Sequence, residues 1–193
     1  MMRKHYIETD RSHLSAIEMD ITELLEKCIE DVEGNLEHNP PIIVYGRECH
    51  QHRSIGFFSD ESIGYRYSNK MARSKPLSPN LTELLNLINN IFSSDFNGIL
   101  VNKYSSGEDY IGRHSDDETD LSDIGVVCVS YGATRKFRIR DKITGKIVVD
   151  VPTVSGEIWI MDGDFQKEFT HEIPIEKKVK QPRISFTFRK HNN

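Results

Sequence analysis

From residue 96 to residue 190 the chain reads as eight short β-prone segments separated by turn residues, and no other feature narrows the possible folds as much. The segments are 97–104, 110–114, 125–131, 135–140, 146–151, 157–162, 168–174 and 183–190, with turns such as Ser105-Ser106-Gly107, Asp141–Gly145 and Asp162-Gly163-Asp164 between them. Strands this short and this numerous bury their apolar faces by packing sheet on sheet, which predicts a jelly roll, the double-stranded β-helix. Upstream, Leu14, Ile17, Ile21, Leu24, Leu25, Cys28, Ile29 and Val32 recur at helical spacing until Gly34. That pattern predicts an acidic helix within residues 1–38. Ser78-Pro79 then offers an N-cap followed by proline at the first helical position, and Leu81, Leu84, Leu85, Ile88 and Ile91 carry a second helix within 78–95. Between them, residues 40–77 mix β-prone pieces with Gly46, Gly56 and Gly64, a texture of hairpins and loops. The expected fold is α+β in one domain over 1–193, with a jelly-roll core at 96–190 supported by N-terminal helices. A chain of 193 residues buries such a core without covalent staples.

Composition excludes several classes. Cys28, Cys49 and Cys128 lie far apart and form no C-x-x-C pair, so neither a disulfide framework nor a thiolate zinc site is expected. The start leads into polar residues rather than an apolar signal region, and no apolar run approaches the ~20 residues of a membrane span. The expectation is a soluble intracellular monomer with no membrane partner, in cytoplasm or nucleus. Net charge is −5, but unevenly placed: residues 8–37 hold ten acids and two bases, and residues 38–193 hold twenty acids and twenty-one bases. Arg135, Lys136, Arg138, Arg140, Lys142 and Lys146 form one basic cluster; Lys177, Lys178, Lys180, Arg183, Arg189 and Lys190 form another. Such clusters serve either as a footprint on a phosphate backbone or as ordinary solvated strand faces.

His114-Ser115-Asp116 is the first chemical motif. On an extended segment, positions i and i+2 point the same way, so an imidazole and a carboxylate can converge on one ion. With eight His and fourteen Asp in the chain, H-x-D arises by chance about 0.6 times, so the motif needs support. Support comes from Arg183-Ile184-Ser185-Phe186-Thr187-Phe188-Arg189, which alternates strictly. Its polar face is either solvent-facing or the wall of an internal pocket where two guanidiniums bind a dicarboxylate. His171, on the preceding segment, is the natural third ligand of a two-His-one-carboxylate triad, which leaves positions open on Fe(II). Asn102 and Tyr104 share one face of another segment and could bond carboxylate oxygens.

In this order, Asn102-Lys103-Tyr104, His114-Ser115-Asp116-Asp117-Glu118, Ser130-Tyr131-Gly132-Ala133-Thr134-Arg135, His171, and Pro182-Arg183 through Thr187-Phe188-Arg189 resemble the AlkB family. These are Fe(II)- and 2-oxoglutarate-dependent dioxygenases that remove alkyl groups from nucleic-acid bases. The likeness spans about residues 42–190 and is closest to the family's DNA-repairing homologues 2 and 3. It implies His114, Asp116 and His171 as iron ligands, and Asn102, Tyr104, Arg183, Thr187 and Arg189 around 2-oxoglutarate. It also implies that residues 40–77 form a nucleotide-recognition lid. Tyr45, Gly46 and Arg47 resemble the hairpin by which homologue 2 enters a duplex, and Tyr65, Arg66 and Tyr67 resemble its base-contacting segment. Asp117 and Glu118 stand at the family's substrate-side acidic positions. Two residues depart from the pattern: Ser185 stands where the family usually has Asn, and His52 where it usually has Pro.

The resemblance implies oxidative demethylation of bases of the 1-methyladenine and 3-methylcytosine type in DNA or RNA, with Fe(II), 2-oxoglutarate and O₂. Formaldehyde, succinate and CO₂ are the expected products. Two alternatives stay open on the residues alone: a 2-oxoglutarate-dependent hydroxylase of a protein or small molecule, and an inactive nucleic-acid-binding module.

Overall fold

The structure is a computed structural model that describes residues 3–44, 46–67, 70–116 and 125–191. In chain order its first elements are β1 (Arg3–Glu8), β2 (Ser12–Glu18), α1 (Thr22–Glu33), β3 (Glu37–His38), β4 (Pro41–Val44), β5 (Arg47–His50), β6 (Ser54–Phe58), β7 (Gly64–Tyr67), β8 (Lys70–Lys75) and α2 (Pro79–Phe92). They are followed by β9 (Gly98–Tyr104), β10 (Ile111–His114), β11 (Val126–Gly132), β12 (Lys136–Asp141), β13 (Ile147–Pro152), β14 (Glu157–Gly163), α3 (Phe165–Glu168), β15 (Phe169–Ile173) and β16 (Arg183–Arg189). The eight segments read from the sequence after residue 96 are all strands, with ends shifted by no more than one residue.

These strands fall into two principal sheets. The large one runs β1-β2-β14-β11-β16-β9-β6-β8-β7, with β3 beside β6, and the small one runs β10-β15-β12-β13. Pairing is antiparallel throughout except between β6 and β8. One face of the large sheet packs on the helices. Ile184, Phe186 and Phe188 of β16 join Val127 and Val129 of β11 against Leu25, Cys28 and Val32 of α1 and Leu81, Leu84 and Ile88 of α2. The opposite face meets the small sheet through Leu14, Trp159, Met161, Ile139, Val151 and Phe169. Each strand of the large sheet between these layers is therefore covered on both sides, and β16 is buried along its whole length.

α2 begins as its sequence dictates, with the Ser78 hydroxyl accepting the Leu81 N–H at 3.1 Å and Pro79 at the first turn. The N-terminal helix requires a correction. Residues 3–18 form a β-hairpin, and only Thr22–Glu33 is helical. Leu14, Ile17 and Ile21 mimic helical spacing, but Leu14 and Ala16 face the small sheet while Ile17 joins the helical side. β2 satisfies its backbone by pairing with β14 from Glu18 to Ser12, a tertiary ladder that overrides the local pattern. A second addition is β6, which lies within the region read as hairpins and loops yet inserts into the large sheet beside β9. Cys28, Cys49 and Cys128 are free cysteines. Among the described residues, no helix is long and apolar enough to cross a membrane.

Candidate active site

Between the two sheets lies a cavity lined by residues of both, among them Leu100, Ile111, Phe137 and Trp159. Its floor is the polar face of β16. In the register of the large sheet, Ser185 stands between Asn102 of β9 and Ser130 of β11. Thr187 stands between Leu100 and Cys128, and Arg183 pairs with Tyr104. The alternation of β16 therefore separates a helix-facing apolar side from a cavity-facing polar side. Neither side meets bulk solvent.

The opposing wall carries the imidazoles. His114 of β10 and His171 of β15 are direct antiparallel partners, with ring centroids 4.3 Å apart. Asp116 follows two residues later, and His114, Asp116 and His171 offer ligand atoms that all lie within 4.8 Å of one another. His114 Nε2 stands 3.6 Å from Asp116 Oδ1, and His171 Nε2 stands 3.6 Å from Oδ2. Those separations are too long for hydrogen bonds, so the lone pairs converge without satisfying one another. His114 Nδ1 sits 2.8 Å from the Gly112 carbonyl. A donor role there puts the proton on Nδ1, the tautomer that ligates through Nε2.

Protonation follows from burial. It is the largest influence on His171 and, with the neighbouring His114, lowers its pKa to about 3. Burial also lowers His114, against the opposing pull of Asp116. Burial pushes Asp116 upward, but Arg189 and then the two imidazoles outweigh it and hold the carboxyl well below its ordinary value. Two neutral imidazoles and one carboxylate are the protonation states a divalent cation requires, and His171 Nδ1 is buried without a hydrogen-bond partner. The donor set fits ferrous ion.

Arg183 and Arg189 take different positions. Arg189 Nη2 donates to Asp116 Oδ1 at 2.8 Å, tying the large sheet to the triad. Arg183 is 4% exposed and donates to the hydroxyls of Ser130 (2.7 Å) and Thr153 (3.1 Å), with its guanidinium over the Tyr104 ring at 5.3 Å. Among the described residues no carboxylate neutralises it. A buried cation with only hydroxyl acceptors is a seat for an anionic ligand. Asn102 accepts from Arg53 Nε at 2.7 Å, and Thr187 Oγ1 lies 3.7 Å from Cys128 Sγ.

Sequence reading missed Arg53, Ser130 and Thr153. Their signal is weak, since an arginine in a loop, a hydroxyl on β11 and another just past β13 gain meaning only when folding stacks them around the cavity. The basic clusters, open between two readings in the sequence, are largely paired in the fold. Arg135 is 1% exposed and donates to the Ser106, Asp109 and Pro174 carbonyls and to Glu176. Arg138 forms a fork with Asp150, Arg140 pairs with Glu172, and Lys190 pairs with Asp95. With Arg183 and Arg189 inside the cavity, most of these cations are spent on internal partners, which sheet pairing supplies and linear sequence does not reveal.

Gly46 and Arg47 sit on the exposed turn side of the β4–β5 hairpin, a separate two-stranded sheet; Gly46 takes a left-handed φ of 75° that suits glycine. Tyr65, Arg66 and Tyr67 lie on β7, the far edge of the large sheet. The fold does not place either group on the cavity floor. Tyr45, Asp117 and Glu118 lie outside the described residues. His52 stacks on Tyr110 with centroids 4.6 Å apart, which fixes this departure from the family pattern at the start of the Arg53 segment.

A cross-strand His-Asp-His cluster facing a buried arginine defines an iron- and 2-oxo-acid-dependent oxygenase, and the chain belongs to the 2OG-Fe(II) oxygenase superfamily, whose match covers residues 17–189. Fe(II), 2-oxoglutarate and O₂ are the cofactor set of this dioxygenase. Within the superfamily its relatives are of the AlkB family. It is 32% identical over 179 residues to the DNA oxidative demethylase ALKBH2 of Homo sapiens, covering 89% of this chain and 67% of that protein. It is 35% identical over 137 residues to the alpha-ketoglutarate-dependent dioxygenase alkB homolog 3 of Mus musculus, covering 66% of this chain and 48% of that protein. The chain thus spans about two thirds of the first relative and about half of the second. The solved structure of OsALKBH1 shares the fold, with a TM-score of 0.60 at 15% identity over 96% of this chain and 100% of that one.

Proposed function

We propose that this protein is an oxidative demethylase of N-alkylated bases in nucleic acid, of the 1-methyladenine and 3-methylcytosine type. The observation that carries the reading is the convergence of His114, Asp116 and His171 across one cavity from the carboxylate-free Arg183. In this reading the triad holds Fe(II), and Arg183 binds the distal carboxylate of 2-oxoglutarate, with Asn102, Tyr104, Thr187 and Arg189 completing the co-substrate site. Bound iron, 2-oxoglutarate and O₂ supply the oxidising power that hydroxylates the base-bound methyl carbon, with succinate and CO₂ formed and formaldehyde released.

The chain's own residues orient and exclude. Arg189 holds the Asp116 carboxylate from the opposite sheet, and Leu14, Leu100, Trp159 and Met161 keep water from the reacting end. A methyl group on a Watson–Crick edge is inaccessible in a stacked pair, so the base enters flipped or from a single strand. Residues 40–77 serve as the nucleotide-recognition lid in this proposal. Tyr65, Arg66 and Tyr67 contact the extruded base, and Tyr45, with Gly46 and Arg47 beside it, fills the gap left in a duplex. Asp117 and Glu118 favour the positive charge that distinguishes these lesions from normal bases. The human relative's name, DNA oxidative demethylase, supports the substrate class.

Formaldehyde release from a panel of methylated DNA and RNA strands, beside methylated peptides and small molecules, tests the reading. Release from oligonucleotides, lost in Asp116→Ala, is expected. Conversion of 2-oxoglutarate to succinate without demethylation of any strand would move the substrate to the protein or small-molecule class.

A further inference from the structure

We propose that Gln166 is a positioning residue for the metal centre, holding the backbone of Asp116 from a helical turn that the N-terminal hairpin clamps in place. The inference rests on the reading of His114, Asp116 and His171 as metal ligands.

The starting point is where Asp116 gets its backbone support. The β10–β15 ladder ends at the His114–His171 pair, so Asp116 lies beyond the last strand contact of its own segment. Its N–H donates to Gln166 Oε1 at 2.9 Å, fifty residues away in sequence. The adjacent Ser115 hydroxyl donates to the Phe169 carbonyl at 3.0 Å. Arg189 holds the carboxylate of Asp116, but a long arginine side chain fixes only the tip of a group whose main chain is otherwise untied. Gln166 supplies the second point that sets where the carboxylate sits between the two imidazoles. Its Nε2 points to Met161 Sδ at 3.5 Å, which directs the amide oxygen toward Asp116.

Gln166 is a useful anchor only if its own backbone is fixed, and α3 is gripped from several sides. Phe165 is fully buried in the core between the sheets. The Gln166 carbonyl accepts from Lys142 Nζ at 3.0 Å, and the Glu168 carbonyl accepts the Lys142 N–H at 2.9 Å. The Glu168 carboxylate collects Thr9 Oγ1 (3.2 Å) and Arg11 Nη2 (2.7 Å) from the turn between β1 and β2, and Ser12 Oγ (2.5 Å) from the first residue of β2. The Arg11 carbonyl accepts the Asp164 N–H at 2.8 Å. Gly163 makes that approach possible, since a Cβ at this residue would stand 2.1 Å from the Arg11 oxygen. The hairpin at residues 3–18 therefore braces the turn that carries Gln166, and through it the Asp116 end of the triad. Partners outside the ligand set commonly change metal affinity 10–100-fold when removed.

The test uses the full chain stripped of metal and titrated with Mn(II) by electron paramagnetic resonance, comparing the unsubstituted protein with Gln166→Met, which keeps length and loses the acceptor. Mn(II) affinity is expected to fall about 10–100-fold. The 2-oxoglutarate KM at saturating metal is expected to stay within about twofold, because Arg183 lies at the other end of the cavity. Equal Mn(II) affinity in the two proteins would overturn the inference. Failure of the unsubstituted protein to bind Mn(II) would instead overturn the ligand assignment beneath it. Should Gln166→Met not fold, hydrogen exchange of the Asp116 amide in the unsubstituted metal-free protein decides: a protected amide supports the anchor, and a freely exchanging one removes it.

Discussion

Replacing Arg183 by Met separates the co-substrate seat from the metal centre. The guanidinium is buried, over the Tyr104 ring, and bonded only to the Ser130 and Thr153 hydroxyls. A carboxylate bound to its free edge gains two charge-assisted hydrogen bonds, each about 1.5–3 kcal/mol. Losing both at the lower end is about 3 kcal/mol, a rise of roughly 150-fold in the 2-oxoglutarate KM at ~1.4 kcal/mol per tenfold. The fold itself loses little. Met covers the same stem, and Thr153 Oγ1 keeps its contacts with the backbone N–H and carbonyl of Arg135. Arg183 also stands six residues along β16 from Arg189, about 20 Å of extended chain, so metal affinity stays near that of the unsubstituted protein. Succinate formation against 2-oxoglutarate concentration, with Mn(II) titration and thermal melting as controls, reads all three quantities. A KM within about fivefold of the original, in a protein that melts normally, would refute the reasoning.

Three further outcomes are expected. His171 has its pKa lowered by burial to about 3, so between pH 3 and the ordinary histidine range the unfolded chain binds a proton that the folded chain refuses. Stability of the metal-free protein should therefore fall as pH falls below about 6.5, and melting of a His171→Phe variant across that window should show a shallower decline. Substituting the exposed Lys177, Lys178 and Lys180 by Ala should weaken oligonucleotide binding and flatten its salt dependence by up to about 0.9 per lost phosphate contact, measured by fluorescence anisotropy. Arg138→Ala should leave that binding nearly unchanged, because Asp150 already occupies its guanidinium.

Local pattern carried much of this protein's organisation. Eight strands after residue 96 were legible because turn residues and two-residue alternation are short-range signals, and the cap at Ser78-Pro79 marked α2 for the same reason. His114, Asp116 and His171 were legible as ligand types in a meaningful order. The N-terminal hairpin was not, because Leu14 and Ile17 continue the helical spacing of α1 as readily as they satisfy a strand with one residue turned to each core.

Tertiary structure decided the rest, through pairings that no window of sequence contains. Alternation and resemblance single out Arg183, but they do not show that its guanidinium is left inside the cavity with hydroxyls while that of Arg135 is locked on three carbonyls and Glu176. Both are arginines in strand-like surroundings, and only the crossing of β11, β12 and β16 assigns them opposite fates. The same holds for Gln166, an unremarkable polar residue until the ladder ends at His114 and leaves the Asp116 N–H in need of an acceptor. Residue types and short-range alternation supply the possible chemistry. Burial and sheet register, which are long-range consequences of packing, determine which of those groups meet and which are already satisfied.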